Sequence, residues 1–159
     1  VIDKLGDPSP RKVTSIAYKE NQFILTITST RMFRQAGFLA KVFEILGRHR
    51  VVVDVISTSE ISVSLSTDDL MPLKDALAEL EQHGQCTIEK AKTVLVVVGR
   101  NLARRRGQGA DILRAMAQAG TKIDMLSFGM GSINFSMVVD DLDIPKAVPI
   151  LHQVLFGDG

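Results

Sequence analysis

The fold is decided by residues 32–66, which read MFRQAGFLAKVFEILGRHRVVVDVISTSEISVSLS. The apolar residues of 38–46 recur at the spacing of one helix face, and Gly47 followed by basic residues is typical of a helix end. Residues 51–56 are rich in β-branched side chains, whereas residues 61–66 alternate apolar residues with Ser. We therefore predict a helix followed by two strands that a polar turn connects.

A weaker copy of this segment recurs at a shift of 70 residues. The apolar helix face, the strand aspartate and the serine after the strand all have counterparts at that shift. The matched pairs are Val42/Ile112, Phe43/Leu113, Leu46/Met116, Val53/Ile123, Asp54/Asp124, Ile56/Leu126 and Ser57/Ser127. The chain is therefore predicted to contain two copies of one structural unit.

The segments around the first copy complete one small module. Phe23–Ser29 is an apolar strand before it, residues 70–80 have the apolar spacing of a helix, and Cys86–Lys90 is a short strand. Lys19–Gln22 is polar and is predicted as a turn after an earlier strand, Val13–Tyr18. The order strand, helix, strand, strand, helix, strand is that of a ferredoxin-like, split βαβ module.

The second copy has the same order but lacks a fourth strand after its last helix. It begins with the Val-rich strand Thr93–Gly99. Because an unpaired sheet edge is a liability, we expect Val13–Tyr18 to complete the second sheet. The predicted fold class is α+β, with two ferredoxin-like βαββαβ modules, the first inserted in sequence within the second. The predicted ranges are a linker at 1–12, the completing strand at 13–19, the first module at 20–91 and the second module at 92–159.

Composition argues against several classes of function. The formal net charge is +1, aromatic residues are few and Trp is absent, so neither a nucleic-acid nor a membrane partner is predicted. The longest apolar run, Val94–Val98, is far shorter than the ~20 residues that span a bilayer. A single cysteine, Cys86, fits a reducing compartment, and we expect a cytoplasmic protein. Because the chain begins at Val1, we also expect it to be a piece of a longer protein.

No motif predicts catalysis or a resident metal. Gly129 and Gly131 precede a strand, so they favour a hairpin turn over a phosphate loop, which would open a helix. The histidines lack the spacing of metal ligands. The pairs Asp68–Asp69 and Asp140–Asp141 precede helices, which favours capping over Mg²⁺ binding. Arg104–Arg106 is interpreted as a solvated loop, with anion binding as the alternative.

The polar residues of 32–60 indicate a binding site instead. The loop before the first helix offers backbone N–H groups to a carboxylate, and Gly37 permits close approach of the backbone. Asp54 stands in an apolar strand, and Thr58, Ser59 and Glu60 follow it. Together these groups suit a zwitterion, with a second carboxylate for a cationic side chain. The alternative, that Asp54 faces solvent and the turn is merely polar, stays open at this point.

Three segments resemble the regulatory region of aspartate kinases in its lysine-sensitive form. They are residues 13–18 (VTSIAY), residues 32–43 with their Gly-Phe-Leu-Ala motif, and residues 53–64 with their Ile-Ser-Thr-Ser-Glu motif. In that family the region is a tandem pair of ACT domains. The resemblance covers nearly the whole chain and lacks the kinase domain, which would precede it. It therefore implies a non-catalytic fragment without a cofactor, whereas the parent kinase would use ATP and Mg²⁺.

The resemblance also implies an effector. L-lysine would bind between the first modules of a homodimer and feedback-inhibit phosphorylation of L-aspartate. L-threonine is the alternative effector, and a sensor attached to another biosynthetic enzyme is the alternative function. The backbone of 32–39 would hold the effector's carboxylate, and two side-chain carboxylates would neutralise its ammonium groups, with their pairing left open. The second copy, without a counterpart of Glu60, is expected to be structural. The matching positions are Met32, Gln35, Gly37, Phe38, Leu39, Val53, Asp54, Thr58, Ser59 and Glu60.

Overall fold

The computed structural model describes residues 15–100, 102 and 106–157. Within these ranges the chain forms one six-stranded antiparallel sheet and four α-helices. The strands are β1 Ser15–Thr28, β2 Ile56–Thr58, β3 Ser62–Thr67, β4 Gln85–Val98, β5 Met125–Ser127 and β6 Asn134–Asp140. The helices are α1 Phe38–Arg48, α2 Leu70–Leu80, α3 Gln108–Gln118 and α4 Ile144–Phe156. None of these helices is both long and apolar enough to cross a membrane.

The two long strands β1 and β4 run through both modules. The strand order is β2-β3-β1-β4-β6-β5. The second half of β1 pairs with the first half of β4, while Ser15–Lys19 pairs with Val94–Val98. Each module thus has four strands in the ferredoxin-like order, β2-β3-β1-β4 and β5-β6-β4-β1. The predicted fold class is confirmed. The boundaries at 20–91 and 92–159 stay a prediction, and residues 1–12 lie outside the described ranges.

The predicted breaks within the long strands are wrong. Lys19–Gln22 is part of β1 and is not a turn, and the two strands predicted at 86–90 and 93–99 are one strand, β4. Two non-glycine residues explain the difference, because Asn21 and Ala91 have φ angles of 58° and 55°. Each absorbs a local irregularity, and the β1–β4 register shifts there without ending the pairing. The polar residues 19–22 therefore form a β-bulge within β1, and not the turn that their composition predicted.

Two further local predictions are corrected. The strand predicted at 51–56 is shorter, because β2 begins at Ile56. Hydrogen bonds nevertheless extend the pairing, since Asp54 N donates to Ser66 O and Ser66 N donates to Val55 O, both at 2.9 Å. The predicted loop at 30–36 contains a 3-10 helix, Thr30–Arg34. Asp54 is therefore held at the start of a β-hairpin rather than within a long strand.

Each module packs its helices against one face of the shared sheet. The core of the first module joins α1 and α2 to Leu25, Ile27 and Leu65, and that of the second joins α3 and α4 to Leu95 and Val97. On the opposite face of the sheet, a third apolar cluster contains residues of both modules, and β2 contacts β5. That cluster consists of Ile24, Val55, Val94, Met125 and Val138.

Sharing of strands makes a testable prediction about truncation. Residues 93–159 expressed alone would lose β1, which pairs with β4 along the segment that the second module needs. The fragment would also expose Val94 and Val138, now buried against the first module. We expect it to show no cooperative thermal transition by circular dichroism, whereas the whole chain should show one. A cooperative transition in the fragment would contradict the inserted arrangement.

Candidate functional site

The N-terminus of α1 offers two backbone donors. Gly37 precedes the helix with a φ of 85°, a left-handed conformation that suits glycine. Lys41 N donates to Gly37 O at 3.0 Å. Among the described residues, the N–H groups of Leu39 and Ala40 have no backbone acceptor. Unpaired N–H groups at a helix start are a favourable place for a carboxylate.

The side chains around this helix start divide into anchors and exposed groups. Phe38 is buried, and the half-buried Met32 packs against the same core. Gln35 is exposed, and Leu39 is 38% exposed although it was predicted on the apolar face of the helix. Phe38 and Met32 therefore fix the loop, while Gln35 and Leu39 are available to a ligand or a neighbouring protomer.

The turn formed by Thr58, Ser59 and Glu60 lies beside the loop that leads to α1. Ser59 N donates to Ser62 O at 2.9 Å, which closes the β2–β3 hairpin, and the exposed Glu60 stands at its tip. Thr58, also exposed, is the last residue of β2. Ser29 N donates to Ile61 O at 2.8 Å. This bond places the start of the 30–37 loop next to the turn.

Asp54 lies at the other end of the hairpin. At about 3.3 Å per residue, roughly 16 Å of extended backbone separates it from Ser59. Val53 beside it is half-buried against the first core. The structure thus brings the predicted loop and the predicted turn together and places Asp54 apart from both.

Asp54 has a partner that the sequence analysis missed. The Lys19 Nζ atom lies 3.5 Å from Asp54 Oδ2 and 2.7 Å from Asp68 Oδ2. The hydrogen bond between Lys19 and Asp68 raises the pKa of the lysine and lowers the pKa of that carboxyl. Asp68 was predicted to cap α2, but its neighbour Asp69 does so by accepting a hydrogen bond from Met71 N at 3.1 Å.

The second module repeats this arrangement with a buried lysine. Lys92 Nζ lies 2.6 Å from both Asp124 Oδ2 and Asp140 Oδ1. Burial alone would lower the pKa of Lys92, but these two hydrogen bonds raise it above its usual value. Asp140 therefore pairs with a lysine, and Asp141 accepts a hydrogen bond from Thr93 Oγ1 at 2.6 Å. The prediction that both cap α4 is wrong.

The remaining candidates for chemistry stay without a role. Gly129 and Gly131 form a turn, since Ser132 N donates to Gly129 O at 3.0 Å. In the ranges that the structure describes, no three His, Cys, Asp or Glu side chains are grouped as metal ligands. Burial raises the pKa of Cys86 to about 11, which disfavours its thiolate. Arg104 and Arg105 lie outside the described residues.

Comparison with known proteins gives the family. The ACT domain family matches residues 95–155. A structure from Porphyromonas gingivalis W83, assigned as a C-terminal regulatory domain of aspartate kinase, superposes with a TM-score of 0.77. It is 29% identical, and the match covers 89% of this chain and 96% of that one. This chain belongs to the regulatory regions of aspartate kinases. The predicted resemblance to that region is confirmed.

One Escherichia coli enzyme, compared both by sequence and by solved structure, contains the matched region within a longer chain. Lysine-sensitive aspartokinase 3 is 32% identical over 156 residues, which cover 93% of this chain and 34% of the relative. The structure of aspartokinase III in complex with lysine and aspartate is 31% identical with a TM-score of 0.82, covering 95% of this chain and 35% of that one. The regulatory region spans about a third or less of the length of the curated relatives that it matches.

Proposed function

We propose that this chain is the allosteric part of an aspartate kinase and that it binds free L-lysine through its first module. The observation that carries the proposal is the asymmetry between the two modules at equivalent aspartates. The side chain of Asp54 is 34% exposed, whereas that of Asp124 is 10% exposed and is already held by Lys92. Of these two equivalent aspartates, Asp54 is therefore the one that is open to a cation from solution.

The groups of the first module match the parts of a dibasic amino acid. The N–H groups of Leu39 and Ala40 would receive the α-carboxylate, as helix starts receive anions. The carboxylates of Asp54 and Glu60 would receive the two ammonium groups, and the hydroxyls of Thr58 and Ser59 would add hydrogen bonds. The lysine complex of the related E. coli aspartokinase III supports this choice of ligand.

The spacing of these groups favours a site shared by two protomers. The two nitrogens of lysine are joined by six covalent bonds of about 1.5 Å. That length is less than the roughly 16 Å of backbone between Asp54 and the turn that carries Glu60. Two copies side by side would bring the aspartate end of one hairpin near the loop end of the other. The first module also exposes apolar side chains that such pairing would cover: Phe33, Leu39, Val52, Ile56 and Ile61.

Inhibition would follow from a preference of lysine for one arrangement of the paired modules. The effector shifts an equilibrium only by the difference in its affinity for two states. Allosteric coupling is typically ~1–3 kcal/mol, which changes affinity roughly 5- to 150-fold. A kinase domain preceding this region would use that shift to slow the ATP- and Mg²⁺-dependent phosphorylation of L-aspartate. The regulatory region itself would contribute no catalytic group.

Titration calorimetry with the whole chain tests the proposal. We expect heat of binding with L-lysine, none with L-threonine at the same concentration, and a stoichiometry of one lysine per chain. Sedimentation velocity in saturating lysine should show a dimer, since one protomer holds only part of each site. Heat with threonine alone would favour the alternative effector. A monomer that still binds lysine tightly would contradict the shared site, and no heat with either amino acid would refute the sensor.

A further inference from the structure

The two modules satisfy equivalent pairs of carboxylates with different lysines. In the first module Lys19 lies between Asp54 and Asp68, and in the second Lys92 lies between Asp124 and Asp140. The pairs correspond because each consists of one aspartate just before a hairpin and one at its end. The hairpins are β2–β3 in the first module and β5–β6 in the second. The lysines do not correspond, since the residue 70 positions before Lys92 is Gln22 and not Lys19.

The two lysines also differ in exposure and in the distances to their partners. The side chain of Lys92 is 7% exposed and lies 2.6 Å from both of its aspartates. The side chain of Lys19 is 53% exposed, and it lies 0.8 Å closer to Asp68 than to Asp54. Lys92 is therefore a fixed part of the interior. Lys19 is bound firmly at one carboxylate and loosely at the other.

We propose that Lys19 is an internal competitor for Asp54, displaced toward Asp68 when the ammonium group of the effector arrives. The inference rests on the proposed function, because it concerns the same site and the same ligand. Lys19 thereby sets the affinity of the site for cationic amino acids. Asp68 acts as the holding partner, and the pKa shifts of Lys19 and Asp68 agree with an ion pair centred on these two residues.

The proposal has a physical basis in the charge left at the site. Asp54, Asp68 and Lys19 together carry a net charge of −1, enough to attract one ammonium group. An arriving ammonium group would share Asp54 with the ammonium of Lys19, which lies 3.5 Å from Asp54 Oδ2. Two like charges on one carboxylate are only a few ångströms apart and repel even in water. Removal of Lys19 should therefore strengthen binding. Removal of the Asp68 charge should weaken binding, because Lys19 would then rely on Asp54 alone.

Lys19 also joins the site to the other module. It lies in the part of β1 that pairs with the second half of β4, opposite Val94. The segment that carries it is thus a strand of the second module, while its ammonium reaches the binding residues of the first. The position of Lys19 therefore depends on both modules, although the ligand contacts only one.

The test is a set of lysine titrations on the whole chain with variants of opposite expected sign. Lys19→Met should bind L-lysine about fivefold more tightly, the size expected for one unit charge about 4 Å away in water. Asp68→Asn should bind it about threefold more weakly, because the freed Lys19 occupies Asp54. Lys122→Met is the matched control, since Lys122 makes a similar exposed pair with Asp124 at 3.0 Å in the second module. It should leave the affinity unchanged.

Two further readouts separate competition from a structural effect. The gain in Lys19→Met should shrink as salt is added, because screening weakens the repulsion it removes. Norleucine, which lacks the ε-ammonium group of lysine, identifies the competing group. A gain for lysine alone assigns the ε-ammonium to Asp54, and a gain for both ligands assigns the α-ammonium.

The outcomes distinguish this inference from the proposed function. If the unmodified chain binds lysine and all three variants bind it with the same affinity, Lys19 does not compete and the inference is wrong. Weaker binding by Lys19→Met would likewise overturn it, by making Lys19 a supporting residue. If the unmodified chain binds no lysine, the proposed function fails and the inference fails with it.

Discussion

We expect Lys92→Met to lower the free energy of unfolding by about 3 kcal/mol, because removing one member of a buried ion pair leaves a charge without its partner. Lys92 is nearly buried and donates to both Asp124 and Asp140. Burial favours the neutral form of Asp124, but the hydrogen bonds from Lys92 and Lys122 hold its pKa below the usual value. Without Lys92, that compensation is largely lost.

Urea unfolding monitored by circular dichroism would measure this loss. Lys122→Met is again the control, because it removes a lysine from the same carboxylate at a position that is 72% exposed. Exposed pairs typically contribute ~0–1 kcal/mol. A combined Lys92→Met and Asp124→Leu variant should recover part of the stability, since both charges are then absent. Equal losses in the two single variants would contradict the structural role of Lys92.

The second large effect is on binding. Asp54→Asn should weaken L-lysine binding at least about tenfold, because it removes a charged partner of the ligand while preserving shape. The fold should be unaffected, since the side chain of Asp54 pairs only with the exposed Lys19 among the described residues. Calorimetry and a melting curve on the same preparation would measure both quantities.

Asp124→Asn provides the mirror-image control for Asp54→Asn. Asp124 occupies the equivalent position and is held by Lys92 and Lys122. Its replacement should lower the melting temperature and leave lysine affinity unchanged in the fraction that remains folded. If Asp54→Asn binds lysine as tightly as the unmodified chain, Asp54 is not a binding residue. If the variant has a lowered melting temperature, Asp54 has a structural role like that of Asp124.

Local patterns in the sequence predicted the elements that bury an apolar face. The helix face from Phe38 to Leu46, its copy at Ile112 and Met116, and the hairpin at Gly129 all follow from short-range periodicity or turn chemistry. The strand predicted at Val13–Tyr18, which the first module does not need and the second module lacks, led to the prediction of the inserted arrangement. These features depend on residues that are close in sequence, which is why one sequence suffices to predict them.

The long strands and the lysine partners could not be predicted in the same way. The polar residues 19–22 resemble a turn, and only the backbone conformation of Asn21 shows that pairing continues through them. Lys19 lies on β1 and Asp54 precedes β2, and β3 lies between these two strands in the sheet. Nothing in the sequence around either residue predicts that they pair. The predicted binding residues were chosen without Lys19 for that reason, and their role stays a prediction.

The sharing of β1 and β4 has a mechanical consequence for a kinase of the proposed kind. The two modules are joined by hydrogen-bonded strands and a common apolar cluster instead of a linker. Neither module can rotate against the other without breaking that pairing, so the described part of the chain has no hinge between the two modules. Binding of the effector would therefore rotate one regulatory region as a rigid body relative to the other, about the interface between the two copies.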